Sequence, residues 1–171
     1  MSLPDELLDL AGYILRRQPK HPTQAALRRA ASTAYYALFN FLIDQSVERF
    51  ATDPALQALI RRAFTHTEMR KAARSLASGG SLPTHVANAF AGTLPVELRR
   101  IATAFIDLQD ARVEGDYNQL IRFDRDEVSA WIEQVRTAFA DWQALVSRPA
   151  DKPAVELFLT GLLLWDRWGK G

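Results

Sequence analysis

Apolar side chains recur along this chain at steps of three and four, and no stretch alternates convincingly with period two, so the pattern predicts helices throughout. Six helical segments stand out. The first runs from about Pro4 to Arg17, with proline in the first turn and Leu7, Leu8, Ala11, Ile14 and Leu15 on one face. The segment QPKHPT breaks it, and a long second helix follows from about Gln24 to Arg49. Its apolar positions 27, 31, 34, 38, 41 and 42 make one stripe, and Arg29, Ser32, Tyr36 and Asn40 make a second, polar one. A helix that needed only to bury itself would not need the second stripe.

Pro54 opens a third helix, capped by Asp53 or Thr52, with a pause expected near Phe64. There Thr65-His66-Thr67-Glu68 reads as a capping box, with Thr65 as N-cap, His66 at N1 and Glu68 at N3. The restarted helix carries Met69, Ala72, Ala73 and Leu76. Residues 78–93 read as a loop with at most one short turn around Val86 to Phe90. Pro95 starts a helix to about Val113, which Gly115 and Asn118 are expected to end. Asp124 and Glu127 form another capping-box pattern ahead of Val128, Trp131, Ile132, Val135, Phe139, Trp142 and Val146. After SRPADKP, the segment Ala154 to Trp168 is apolar nearly all round and must be buried, in its own bundle or against a second copy. The expected organisation is an all-α bundle over residues 1–148, with 149–171 as a linker and an apolar C-terminal helix, either a dimer arm or a partner-docking segment.

Composition narrows the function classes. A chain of 171 residues is long enough for one domain that buries roughly 70% of its unfolded surface. It has no cysteine, which removes disulfides and thiolate metal sites and is compatible with a reducing cytoplasm, the expected location. MSLPDELLDL does not read as a secretory signal, and the longest apolar run falls well short of a membrane span. The formal charge of +1 supplies no global field toward nucleic acid or an anionic membrane. His21 and His85 lack acidic or histidine neighbours at metal-ligand spacing, so no metal and no cofactor is expected.

Two constellations carry candidate chemistry. Arg61 precedes His66 by four intervening residues. Histidine takes and returns a proton near neutral pH, and arginine stabilises charge developing on a phosphoryl group. The competing role for His66 is that of a helix-start residue, and Arg16 to His21 repeats the spacing across a proline-containing loop. The second constellation joins the stripe Arg29, Ser32, Tyr36 and Asn40 to Arg112, Asp116 and Tyr117. It would line a cleft where arginine holds phosphate and tyrosine stacks on a base, or form an internal hydrogen-bond network that sets bundle register.

Helix two with RRAASTAYYALFNF, the later Thr65-His66 helix start and Arg112-Val-Glu-Gly-Asp116-Tyr117 resemble, in that order, the HEPN family over about residues 8 to 147. Gly115 stands where one branch of that family has alanine, and Arg62 stands where its catalytic members prefer a smaller polar residue after the arginine. The resemblance implies an up-and-down helical bundle, usually a homodimer. It implies one of two jobs: a metal-independent ribonuclease toxin, here with His66 and Arg61, or a binding and assembly module without catalysis. It also implies RNA or a nucleotide as ligand, in a toxin–antitoxin-like defence or stress setting, with a nucleotidyltransferase-like protein as partner. A purely structural helical homodimer is the third reading.

Overall fold

In a computed structural model, which describes residues 1–17, 20–78, 82–90 and 92–168, the chain is all-α. The elements are α1 (Leu3–Arg17), α2 (Gln24–Phe50), α3 (Pro54–Ala63), α4 (His66–Ala77), α5 (Thr84–Ala89), α6 (Val96–Tyr117), α7 (Arg125–Val146) and α8 (Lys152–Trp168), with a 3-10 turn at Pro149–Asp151. No strand occurs among the described residues. Positions 18–19 of the expected QPKHPT break, positions 79–81 and 91 of the expected loop, and positions 169–171 of the C-terminal segment lie outside them.

The local capping signals explain the helix starts. Thr65 Oγ1 accepts from the Glu68 amide at 3.2 Å, and Asp53 Oδ1 accepts from the Leu56 amide at 3.0 Å. Asp124 Oδ1 does the same for the Glu127 amide at 2.7 Å. Each satisfies a first-turn donor that has no partner within its helix. α1 begins with the Ser2 and Asp5 side chains bonded at 2.7 Å. Asp5 and Glu6 lie in its first turn and Arg16 and Arg17 in its last, the arrangement the helix dipole favours.

The chain forms two compact units. The first comprises residues 1–41 and 104–139. In it α2 is buried on nearly every side: Ala30, Ala31, Ala34, Tyr35, Ala37 and Leu38 are fully enclosed. α2 and α6 run antiparallel, since Arg28 meets Gly115, Tyr36 meets Arg112 and Phe39 meets Phe105. Alanines at the α2 surface permit close approach, and aromatic pairs fill the remainder. Tyr35 lies 5.6 Å from Phe105, and Phe41 stacks on Phe139 at 4.2 Å.

α6 continues through Gly115 to Tyr117, past its expected end near Val113. The glycine serves close packing instead of termination. A β-carbon there would sit 3.1 Å from Phe123 Cε2, and the Gly115 carbonyl accepts from Arg28 Nη1 at 2.6 Å. Arg28 Nη2 also donates to the carbonyls of Asn118 at 3.0 Å and Ile121 at 2.6 Å. One guanidinium thus satisfies three main-chain acceptors around the end of α6. One turn earlier on α2, Gln24 Nε2 donates to the Phe123 carbonyl at 2.7 Å, and its Oε1 accepts from the Phe123 amide at 3.0 Å.

The second unit comprises residues 42–103 and 140–171. Its core holds Leu42, Val47, Met69, Leu76, Leu98, Ile101, Trp142, Leu145, Phe158 and Leu162. α8 packs on α4 and buries Ala154, Val155, Phe158, Leu159, Gly161 and Leu162. At their rim Lys71 Nζ lies 2.9 Å from both carboxylate oxygens of Asp166. Arg100 grips Asp141 through Nε and Nη2 at 2.9 and 2.8 Å, and Arg148 pairs with both Glu97 and Asp151. α3 buries no residue, and Leu56 and Leu59 are exposed on it.

Replacing Arg28 by methionine keeps length and removes the donors. It is expected to lower the unfolding free energy by about 1.5–3 kcal/mol in urea titration, the scale of charged hydrogen bonds lost without replacement. Gly115→Val should cost about 1–3 kcal/mol by overpacking against Phe123. Cutting after Arg148 removes α8 and uncovers Met69, Ala72, Ala73 and Leu76 of α4. Light scattering should then show association or loss of solubility, and an unchanged mass and solubility would count against α8 as essential cover.

Candidate functional site

The antiparallel contact of α2 with α6 brings together four of the seven residues of the expected polar cleft. Arg112 is their centre. Its Nη2 donates to the Tyr36 hydroxyl at 3.3 Å. Its buried Nε lies 2.9 Å from Asp116 Oδ2 in an ion contact, without the alignment of a hydrogen bond. The guanidinium carbon stands 5.8 Å from the centre of the Tyr36 ring and 6.0 Å from that of Tyr117, at cation–π distance from both. Partial burial pulls the guanidinium pKa down. The facing Tyr36, then Asp116 and the Tyr36 hydrogen bond, more than reverse this, and it ends above the usual arginine value.

The four side chains differ sharply in exposure. The Arg112 side chain is 20% exposed and that of Asp116 is 37% exposed, whereas Tyr117 is 75% exposed. The cluster is therefore a tie whose inner side, Tyr36 and Arg112, is largely covered and whose outer side, Asp116 and Tyr117, is open to solvent. The tie holds because α6 persists to Tyr117. Had it ended at Val113, the i,i+4 relation of Arg112 to Asp116 would be lost.

Among the described residues, the side chains of the remaining three cleft residues form no hydrogen bond or ion pair with the Arg112 guanidinium, Asp116 or Tyr117, and Asn40 touches the cluster only through the Tyr36 main chain. Ser32 is buried at 6% exposure, and Asn40 Nδ2 donates to the Tyr36 carbonyl of its own helix at 2.8 Å. Arg29 is exposed, and its side chain has no partner among the described residues. The polar stripe of α2 is thus not one face toward solvent. It starts outside at Arg29, passes through the interior at Ser32 and returns to a half-buried position at Tyr36.

Arg61 and His66 belong to different helices. Arg61 lies in the last turn of α3, where Nη1 pairs with Asp44 of α2. Phe64 is buried and caps α3, Thr65 caps α4, and His66 is the half-buried first residue of α4. Arg61 is engaged by this carboxylate, with 47% of its side chain exposed.

Arg28, Gln24 and Gly115 shape this region without having been singled out as site residues. Arg28 reads in the sequence as half of a basic pair with Arg29, but successive helix positions point about 100° apart. No group of three or more histidines, aspartates and glutamates placed to hold a metal occurs among the described residues. None of the described helices is long and apolar enough to cross a membrane.

No family model matches the chain, and neither does any curated protein or solved structure.

Tyr36→Phe retains the ring and deletes the acceptor for Arg112. Its expected cost is about 0.5–1.5 kcal/mol in urea unfolding. Asp116→Asn should change stability by less than about 1 kcal/mol, because the pair it breaks is open to solvent. A larger effect at Asp116 than at Tyr36 would reverse the ranking drawn from burial.

Proposed function

We propose that the chain is a HEPN-like module that binds single-stranded RNA without cutting it, in an assembly role within a toxin–antitoxin-like defence or stress system. The reading rests above all on Tyr117. Its ring is 75% exposed, and its neighbour Arg112 is held in place by Tyr36 and Asp116. An exposed aromatic ring next to a partnered cation offers a stacking platform for a base. Arg29, exposed and without a side-chain partner among the described residues, is the α2 residue available to a phosphate. The family-like order of the α2 tyrosine pair, the Thr65-His66 helix start and the Arg112–Tyr117 segment supports the HEPN-like part of the proposal. A homodimer and a nucleotidyltransferase-like partner belong to the same proposal.

The ribonuclease alternative needs Arg61 free to face substrate beside His66, and Arg61 is paired with Asp44. That pairing favours binding over cleavage.

Fluorescence anisotropy of an end-labelled single-stranded RNA, in chelator and at low salt, tests the proposal. Wild type should bind and leave the RNA intact. Tyr117→Ala should weaken binding by about tenfold, within the ~1–3 kcal/mol typical of base–aromatic stacking. Arg29→Gln should reduce the slope of log affinity against log salt by about 1. Equal binding by Tyr117→Ala would remove the platform from the reading. Cleavage abolished by His66→Ala would replace binding with catalysis.

A further inference from the structure

The second unit holds a cavity of about 440 Å³ that the RNA-binding proposal does not use. Its wall comes from the C-terminal ends of α2 and α7 and the N-terminal part of α8. Trp142, Leu145, Val155 and Leu159 supply apolar surface, and all four are almost entirely enclosed. Cavities of several hundred Å³ with an apolar body and a few convergent polar groups are the usual form of a small-molecule site.

Two donors are placed at this wall. Trp142 Nε1 is bonded to Gln45 Oε1 at 2.6 Å. An indole N–H only donates, so the amide oxygen of Gln45 must face it, and Gln45 Nε2 remains as a donor. The second donor is Lys152. The other two cations of the wall are already matched, Arg49 by Glu156 at 2.6 Å and Arg148 by Glu97 and Asp151. Lys152 has no carboxylate partner among the described residues, and the first turn of α8, where it sits, contains no acidic residue. The cavity therefore combines an enclosed apolar floor with an unmatched positive charge and an amide donor. Glu48 is the single acid among the wall residues, and it is exposed.

We propose that this cavity binds a small amphipathic carboxylate with a flat apolar body. The body lies against Trp142, Leu145 and Leu159, and the carboxylate accepts from Lys152 Nζ and Gln45 Nε2. The apolar contact supplies most of the affinity, and the charged end selects acid over alcohol or amide. Val146, which lines the mouth and is 52% exposed, sets access.

Isothermal titration of the full chain with 2-naphthoate, and with neutral 2-naphthylmethanol as comparison, tests this. The expected result is saturable binding at one site per chain, with the acid preferred by at least about fivefold. Lys152→Met should reduce the acid to the affinity of the alcohol. Val146→Trp, a change at the exposed mouth, should block both ligands while the helical circular dichroism stays unchanged. Independently of any variant that fills the site, naphthoate should shift the indole N–H resonance of Trp142, assigned by its loss in Trp142→Phe, and leave that of Trp131 in place. Absence of saturable binding to wild type overturns the proposal. So does binding that survives Val146→Trp, that fails to separate acid from alcohol, or that leaves the Trp142 resonance unmoved.

Discussion

Arg28 closes the end of α6, and the geometry around Arg112 depends on that closure. The last carbonyls of a helix have no partner within it. Here one planar guanidinium, arriving from α2, takes the carbonyls of Gly115, Asn118 and Ile121. Gly115 lets the chain beyond α6 fold closely back on it: a β-carbon there would sit 3.1 Å from the Phe123 ring, whereas Arg28 Cγ would stay at an ordinary 3.7 Å. Gln24, one turn away on the same face of α2, holds both main-chain groups of Phe123. The connection from α6 to α7 is thereby pinned near both ends by two side chains in i,i+4 relation. It needs no secondary structure of its own to be fixed.

This pinning decides what the Arg112 cluster can offer. With the end of α6 fixed, Arg112, Asp116 and Tyr117 keep helical spacing, and Arg112 falls between two tyrosine rings. The guanidinium gives one contact to Tyr36 and another to Asp116, so much of its charge is already answered within the protein. A ligand meeting this edge would encounter an oriented ring backed by a cation more than a bare positive charge. That suits stacking better than phosphate capture, which would fall to Arg29. The net charge of +1 fits such a division, since the chain as a whole supplies little attractive field.

What could be read from the sequence was whatever the physics keeps local. The pause at Phe64 and the caps at Thr65 and Asp124 are settled within four residues, and each is found where its side-chain pattern places it. That α8 buries an apolar face was legible too, although the cover is one-sided and leaves Leu164 37% exposed. That α4 is its mate was not, since the contact joins residues some 90 positions apart. Gly115 reads locally as a helix end, but its use here is set by Phe123 and Arg28, which lie outside the local window around it. The stripe of α2 failed at Ser32 for a related reason. The helix is surrounded closely enough that even a serine on its polar side is covered.

The separation of Arg61 from His66 shows why a spacing motif is weaker than a geometry. Four intervening residues say nothing about direction unless the backbone between them is known. Here it leaves one helix at Phe64 in an extended conformation and enters another at Thr65, also extended. Arg61 is then governed by what lies beside the end of α3, and that is Asp44. His66 is the first residue of α4, directly after the Thr65 cap. The spacing gains meaning only together with these two settings, and the other candidate chemistry lies at Tyr117, 75% exposed beside Arg112.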